Sequence, residues 1–309
     1  MSTLHSHMGL REWAMLIALS ILWGGSFFSV ALAVPYIQPI TLVALRVALA
    51  GAALWLFIGA CGIRVKLTRQ ILCAFLCMGI LNNVIPFSLI TWGQTEVASG
   101  LASILNATTP MFTVLIAHFY LADEPASPQK ILGVICGFVG VTVMLGDAFI
   151  EDSSALVPLL AIAAGTLSYA CAGVYGRRFK TLAVNPVVTA AGQVSASAVL
   201  MLPTALMFET WPSQAPVEAW LAVAALALLS TALAYVLYFK LLARAGATNL
   251  LLVTLLIPIS AIALGSIFLG EQLTASHYAG MGLIALGLCA IDGRVWARLQ
   301  RVTNRAKHL

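Results

Sequence analysis

Ten apolar runs, each long enough to cross a lipid bilayer, follow one another with only short polar breaks between them. A helix needs about 20 residues to span a hydrocarbon core of about 30 Å, so runs of this length read as spanning helices and not as core helices of a soluble domain. They fall at 11–33, 39–60, 71–92, 99–121, 130–149, 156–176, 186–208, 218–239, 247–270 and 277–293. Composition agrees: 61% of residues are hydrophobic and 9% charged, far from the roughly half-apolar, quarter-charged soluble norm. The fold class is therefore all-α integral membrane. Arg11, the apolar run after it and Ala31-Leu32-Ala33 superficially fit a cleaved signal peptide. The run is too long for one, holds Trp23-Gly24-Gly25-Ser26 at its middle, and is needed for the count of ten.

The chain says the same thing twice. The stretch from Ala98 to Leu145 has an echo starting at Gly246, in which Pro110 answers Pro258, Glu124 answers Glu271, Gly133 answers Gly280 and Gly140 answers Gly287. Earlier positions follow suit: Pro39 answers Pro186, Arg46 answers Gln193 and Asn82 answers Ser230. The sequence thus divides into a five-helix repeat over 1–150 and another over 151–309. An odd number of spans per copy sends the second copy into the membrane from the opposite side, so the repeats are inverted.

Charge gives the same answer independently. Arg64, Lys66 and Arg69 follow the second span, Arg177, Arg178 and Lys180 the sixth, Lys240 and Arg244 the eighth, and five Lys or Arg from Arg294 onward the tenth. The alternate loops carry Glu96, Asp147, Glu151, Asp152, Glu209, Glu218 and Glu271 with no Lys or Arg. Positive charge concentrates on the cytoplasmic side. Both termini are expected there, in a bacterial-type inner membrane. The net charge of +5 is this asymmetry, and nucleic acid is not an expected partner.

Several residues and stretches carry a likeness: LWGGSFF at Leu22 to Phe28, LRVALAG at Leu45 to Gly51, ATTPMFTVLIAHFYLADEP, its partner LIPISAIALGSIFLGEQLT, and the glycine helices after each. In their order these resemble the ten-helix members of the drug/metabolite transporter superfamily, built from two EamA-type domains. The resemblance covers nearly the whole chain. It implies export of small metabolites such as amino acids, coupled to an ion or proton gradient or driven by the substrate's own gradient. One extra residue in LADE relative to LGE leaves Asp123 and Glu124 as alternative counterparts of Glu271.

Ionisable groups within the spans are few, and each is a functional candidate because charge is costly in hydrocarbon. Arg46 lies well inside the second span and His118 near the end of the fourth, each read as a gating or a structural residue. No span carries a pair of buried carboxylates, no glycine-rich loop ends in Lys and Ser or Thr, and no H-E-x-x-H motif or Ser/Lys pair lies in a span. A proton-relay pump with a mid-membrane Asp or Glu, built-in ATP hydrolysis and an intramembrane protease are thereby disfavoured in turn. Six cysteines lie in or beside the spans and form no disulfide framework; Cys73 and Cys77, one turn apart, read as small buried residues. No metal and no cofactor is expected.

Neutral polar residues beside prolines are more informative. Asn82 and Asn83 precede Pro86, Asn106, Thr108 and Thr109 precede Pro110, Ser230 and Thr231 sit in the eighth span, and Thr254 precedes Pro258. A proline inside a helix removes a hydrogen bond and frees a carbonyl, which polar neighbours or water must satisfy. Four such helices, paired by the repeat, predict a central cavity between the third, fourth, eighth and ninth spans. Trp23 and Tyr169, similarly placed in the two copies, with Tyr235 and Tyr238, are candidates for its aromatic lining. Gly133, Gly137, Gly280, Gly282 and Gly287 read as close-packing scaffold.

The expected function is a secondary transporter that alternately exposes this cavity and exports small metabolites, with amino acids, including aromatic and apolar ones, as the substrate class. The rivals are efflux of drugs or lipophilic cations, and a non-transporting membrane protein or enzyme. Expected partners are a small-molecule substrate and the lipid bilayer, with monomer and homodimer both open.

Overall fold

The computed structural model describes residues 9–121, 127–150, 156–250 and 252–292, and their side chains except at 145–150, 243, 246–249 and 292. Every predicted span overlaps a helix, although the eighth of these helices runs on to Leu250, past the expected end at 239 and into the expected ninth span, and the ninth starts at Leu252 instead of 247. We label them α1 (Leu10–Ala33), α2 (Pro39–Ala60), α3 (Arg69–Gly93), α4 (Ser99–Tyr120), α5 (Pro128–Ile150), α6 (Leu156–Gly176), α7 (Pro186–Phe208), α8 (Val217–Ala224, Ala225–Leu233 and Ala234–Leu250 in succession), α9 (Leu252–Leu269) and α10 (Ala275–Asp292). Eight of these regions are long and apolar enough to cross a membrane among the described residues, and Pro128–Met144 and Ala275–Ile291 are shorter apolar helices. Pro39 and Pro186 sit in the first turns of α2 and α7, where a missing N–H costs nothing. Asn185 accepts a hydrogen bond from Val187 N, and Thr68 one from Ile71 N, to start α7 and α3.

The outer surface is apolar, as lipid requires. Leu56, Leu206 and Ile267 are each about three-quarters exposed. Cys61 and Cys73 are exposed too, which corrects the expectation of a buried Cys73: a thiol is apolar enough to face lipid.

The two repeats are interleaved instead of lying side by side. In lipid there is little hydrophobic gain from pairing helices, so close backbone contact through small residues decides the packing. Helices α5 and α10 meet along their glycines. A Cβ on Gly133 would lie 2.5 Å from Gly287 O, and one on Gly140 would lie 2.7 Å from Gly280 O. Because Gly133 is the repeat counterpart of Gly280, and Gly140 of Gly287, this is a self-complementary antiparallel seam. That is the mark of an inverted repeat. Gly282 stands apart from the seam, with nothing within 4 Å of a Cβ there, so the expectation that it packs a helix is corrected: it lies on the other side of α10 from the contact.

Other close glycine contacts also join one repeat to the other. Gly51 of α2 packs on Val194 and Ser195 of α7, where Trp55 Nε1 also donates to Ser195 Oγ at 2.8 Å. Gly24 of α1 sits against Ile257 and Ser260 of α9, and Gly165 of α6 against Pro86 and Ile90 of α3.

Among the described residues, three stretches are wound wider than an α-helix, with bonds reaching five residues back: Ile80–Val84 in α3, Ala225–Leu233 in α8 and Gly265–Leu269 in α9. The first two contain the repeat counterparts Asn82 and Ser230. Such widened turns often occur at functional sites.

Candidate substrate cavity

The proline stretches place the walls. Helix α4 breaks into Ser99–Asn106 and Thr109–Tyr120, with Pro110 in the first turn of the second piece. The carbonyls released there are satisfied by hydroxyls: Thr109 Oγ1 donates to Asn106 O at 2.7 Å and Thr108 Oγ1 to Leu105 O at 2.6 Å. The side chain of Asn106 takes no part in that repair, and its Oδ1 is buried without a partner. In α3 the widened turn leaves Leu81 O facing the missing N–H of Pro86. Ser168 Oγ of α6 donates to it at 2.7 Å, so one repeat mends the kink of the other.

Between the repeats lies a cavity of about 1050 Å³. Its wall carries Trp23, Asn82, Asn106, Thr109, Tyr169, Ser230, Tyr235, Tyr238, Thr254 and Arg46 of the residues named from sequence. Three others stand one layer back. Asn83 is fully buried, with its Nδ2 donating to Ser197 Oγ at 3.1 Å, and Pro110 and Pro258 are buried within their helices. His118 is elsewhere, exposed near the end of α4 with its ring against Phe119.

The cavity is broader than the predicted four-helix site. Helices α1, α2, α6 and α7 contribute as well, through residues such as Phe27, Arg46, Tyr169 and Gln193. Thr231, named beside Ser230 in the eighth span, lines the cavity too, whereas Thr91, Gln94 and Thr189 carry no such sequence signal. The available signal was the repeat itself, since Gln193 is the counterpart of Arg46 and both face the same space.

Aromatic rings from the two copies meet across the wall. Trp23 packs on Tyr238 with centroids 5.7 Å apart, and Phe87 meets Tyr169 edge-on at 6.3 Å. Beside them runs a hydrogen-bonded network. Asn82 Nδ2 donates to Gln193 Oε1 and to Tyr235 Oη, each at 3.0 Å, and Tyr235 Oη donates to Asn83 Oδ1 at 3.3 Å. Arg46 Nε donates to Thr231 Oγ1 at 2.9 Å, and the guanidinium carbon lies 3.6 Å from the centroid of the Phe87 ring. No carboxylate lines the cavity among the described residues.

One end of the cavity reaches Phe179, Lys180 and Asn185 in the α6–α7 connection. The opposite face is fastened by two carboxylates that cap helices of the other repeat. Glu209, just past α7, accepts from Ile40 N at 3.0 Å and Thr41 N at 2.6 Å in the first turn of α2. Glu271, just past α9, accepts from Ser99 N at 2.7 Å and Gly100 N at 3.0 Å in the first turn of α4. Gly270 takes a left-handed conformation (φ 68°) that turns the chain back for this contact. Gly265 leaves the space that the Glu271 carboxylate fills. Asp123 and Glu124, the alternative counterparts of Glu271, lie outside the described residues.

Residues 11–146 and 156–291 each match the EamA-like transporter family. The chain belongs to that family. As a member of the EamA-like family it is a multi-pass membrane transporter, without an enzymatic role implied by its kin. It is 26% identical over 276 residues to an uncharacterized transporter, YoaV, of Bacillus subtilis, covering 88% of this chain and 94% of that one. It is 25% identical over 277 residues to the uncharacterized inner membrane transporter YedA of Escherichia coli K12, covering 89% of each. A probable amino-acid metabolite efflux pump of Escherichia coli K12 is 21% identical over 306 residues, covering 96% of this chain and 99% of the relative. A solved crystal structure shares the fold with a TM-score of 0.65 at 21% identity, covering 91% of this chain and 96% of that chain.

Proposed function

We propose that this transporter is an alternating-access carrier that exports small amino-acid-type metabolites across a bacterial-type inner membrane. The observation that carries the reading is the cavity of about 1050 Å³ between two inverted repeats, walled by both amides and aromatic rings. A pocket of that size accepts a small solute with room for water. Inverted halves can exchange conformations, so that one face closes as the other opens. The probable amino-acid metabolite efflux pump among the relatives supports the substrate class. Efflux of lipophilic cations fits less well, because the charged residue on the wall within the spans is itself a cation, Arg46.

The charge pattern orients the carrier with both termini and the α6–α7 connection in the cytoplasm. The cavity then opens inward in this conformer, and Glu209 and Glu271 fasten the outer face. The test is purified protein in liposomes loaded with labelled amino acids, with efflux followed with and without a protonophore. Efflux of at least one aromatic or aliphatic amino acid is expected. With no carboxylate on the wall among the described residues to carry a proton, a preset amino-acid gradient should discharge with or without the protonophore. Liposomes that release no labelled amino acid above protein-free controls would sink the substrate assignment.

A further inference from the structure

A guanidinium at mid-membrane is expensive to desolvate, and proteins ordinarily offset the cost with a carboxylate partner. Arg46 has none among the described residues, although it is only 7% exposed. What holds it is a scaffold for orientation. Thr231 Oγ1 accepts the Nε–H at 2.9 Å while its own proton is committed to Leu226 O at 2.8 Å in the widened turn of α8. The flat face lies over Phe87. Those contacts use one of five N–H donors and fix the plane of the group. Nη1 and Nη2 make no hydrogen bond to the described residues, and neither is a sealed, partnerless atom, so both are reached from the cavity. Two free, coplanar donors match the two oxygens of a carboxylate. The same wall holds amide oxygens with no donor, Asn106 Oδ1 and Gln94 Oε1. Gln94 is oriented because its Nε2 donates to Phe27 O at 2.9 Å.

We propose that Arg46 is the carboxylate anchor of the cavity, so that the cargo is a solute with a free carboxylate and the bound anion supplies the missing counter-ion. The inference rests on the amino-acid reading above and sharpens it. Thr231 acts as a positioning residue that aims the fork.

The experiment uses full-length protein in liposomes and compares transport of L-phenylalanine with that of L-phenylalaninamide, which lacks the carboxylate. Wild type should show a KM for the amide at least about tenfold higher, the scale of a lost charge-assisted pair. Arg46→Gln should raise the KM for phenylalanine to that of the amide and leave the amide's KM within about twofold, since the substituted group no longer distinguishes them. Arg46→Lys, a point charge without the fork, should fall between. Thr231→Val, which keeps the charge, should raise only the phenylalanine KM, and it decides the matter if Arg46→Gln does not fold. The anchor is overturned if wild type moves acid and amide equally well, or if the variants weaken both alike, as a purely structural arginine requires. If wild type moves no amino acid at all, the amino-acid reading itself falls and takes the anchor with it.

Discussion

Replacing Glu271 by Gln should open the face of the molecule that this carboxylate fastens. Its two oxygens accept from Ser99 N and Gly100 N at 2.7 and 3.0 Å, at the positive end of α4. Hydrogen bonds to a charged group contribute about 1.5 to 3 kcal/mol each, and a neutral one about 1 kcal/mol. A glutamine can still accept one bond but carries no charge, and it loses a further few tenths of a kcal/mol or more from the helix dipole. A net loss of about 2 kcal/mol follows, which is about thirtyfold in the ratio of closed to open forms, provided that the cap is broken when this face opens. The assay places a single cysteine at Thr91, on the cavity wall and 2% exposed, in a background lacking the six native cysteines, none of which lines the cavity. A membrane-impermeant maleimide added from the Glu271 side should label it up to about thirtyfold faster in the Glu271→Gln protein than in its parent. Gly265→Ala should act in the same direction, because a methyl group there takes the space of the carboxylate. Unchanged labelling accompanied by a lower melting temperature would refute the reasoning, since the cap would then be a fixed part of the fold and not a contact exchanged during the cycle.

Gly287→Ala should lower the melting temperature in detergent, because its Cβ would lie 2.5 Å from Gly133 O and 3.0 Å from Gly137 N; forcing backbones apart costs about 1 to 3 kcal/mol. Gly282→Ala, in open space on the same helix, should leave it unchanged or raise it slightly. Ser168→Ala should destabilise by about 1 to 3 kcal/mol, since Leu81 O loses the donor that replaces the one Pro86 lacks, and a parallel drop in thermal stability and transport checks it. Asn82→Leu should disconnect Gln193 from Tyr235 and reduce transport while the protein still reaches the membrane, which quantitative immunoblotting of membranes beside an efflux assay resolves.

Much of this architecture is local and therefore written in the chain. Within hydrocarbon each helix must satisfy its own backbone, so length and apolarity alone locate α1 to α10. Repetition of Pro110 at Pro258 and Gly133 at Gly280, with five spans in each copy, forces the inversion that the Gly133–Gly287 seam displays. The need for hydroxyls beside Pro110 is local too, and Thr108 and Thr109 meet it within one turn. What the sequence left undecided is which way each helix faces. Lipid and protein interior are both apolar, so periodicity does not separate the cavity side of a helix from its lipid side. Hence Asn82 lies on the wall and its neighbour Asn83 behind it, and Gly280 lies in the seam while Gly282 does not. For the same reason Arg46, equally consistent with a structural or a gating role in one dimension, acquires its place over Phe87 and against Thr231 only when α2, α3 and α8 are packed together. Contacts between residues 168 or more apart in sequence, such as Glu209 with Thr41 and Glu271 with Ser99, have no local signature at all; only the interleaving of the two repeats brings them within reach.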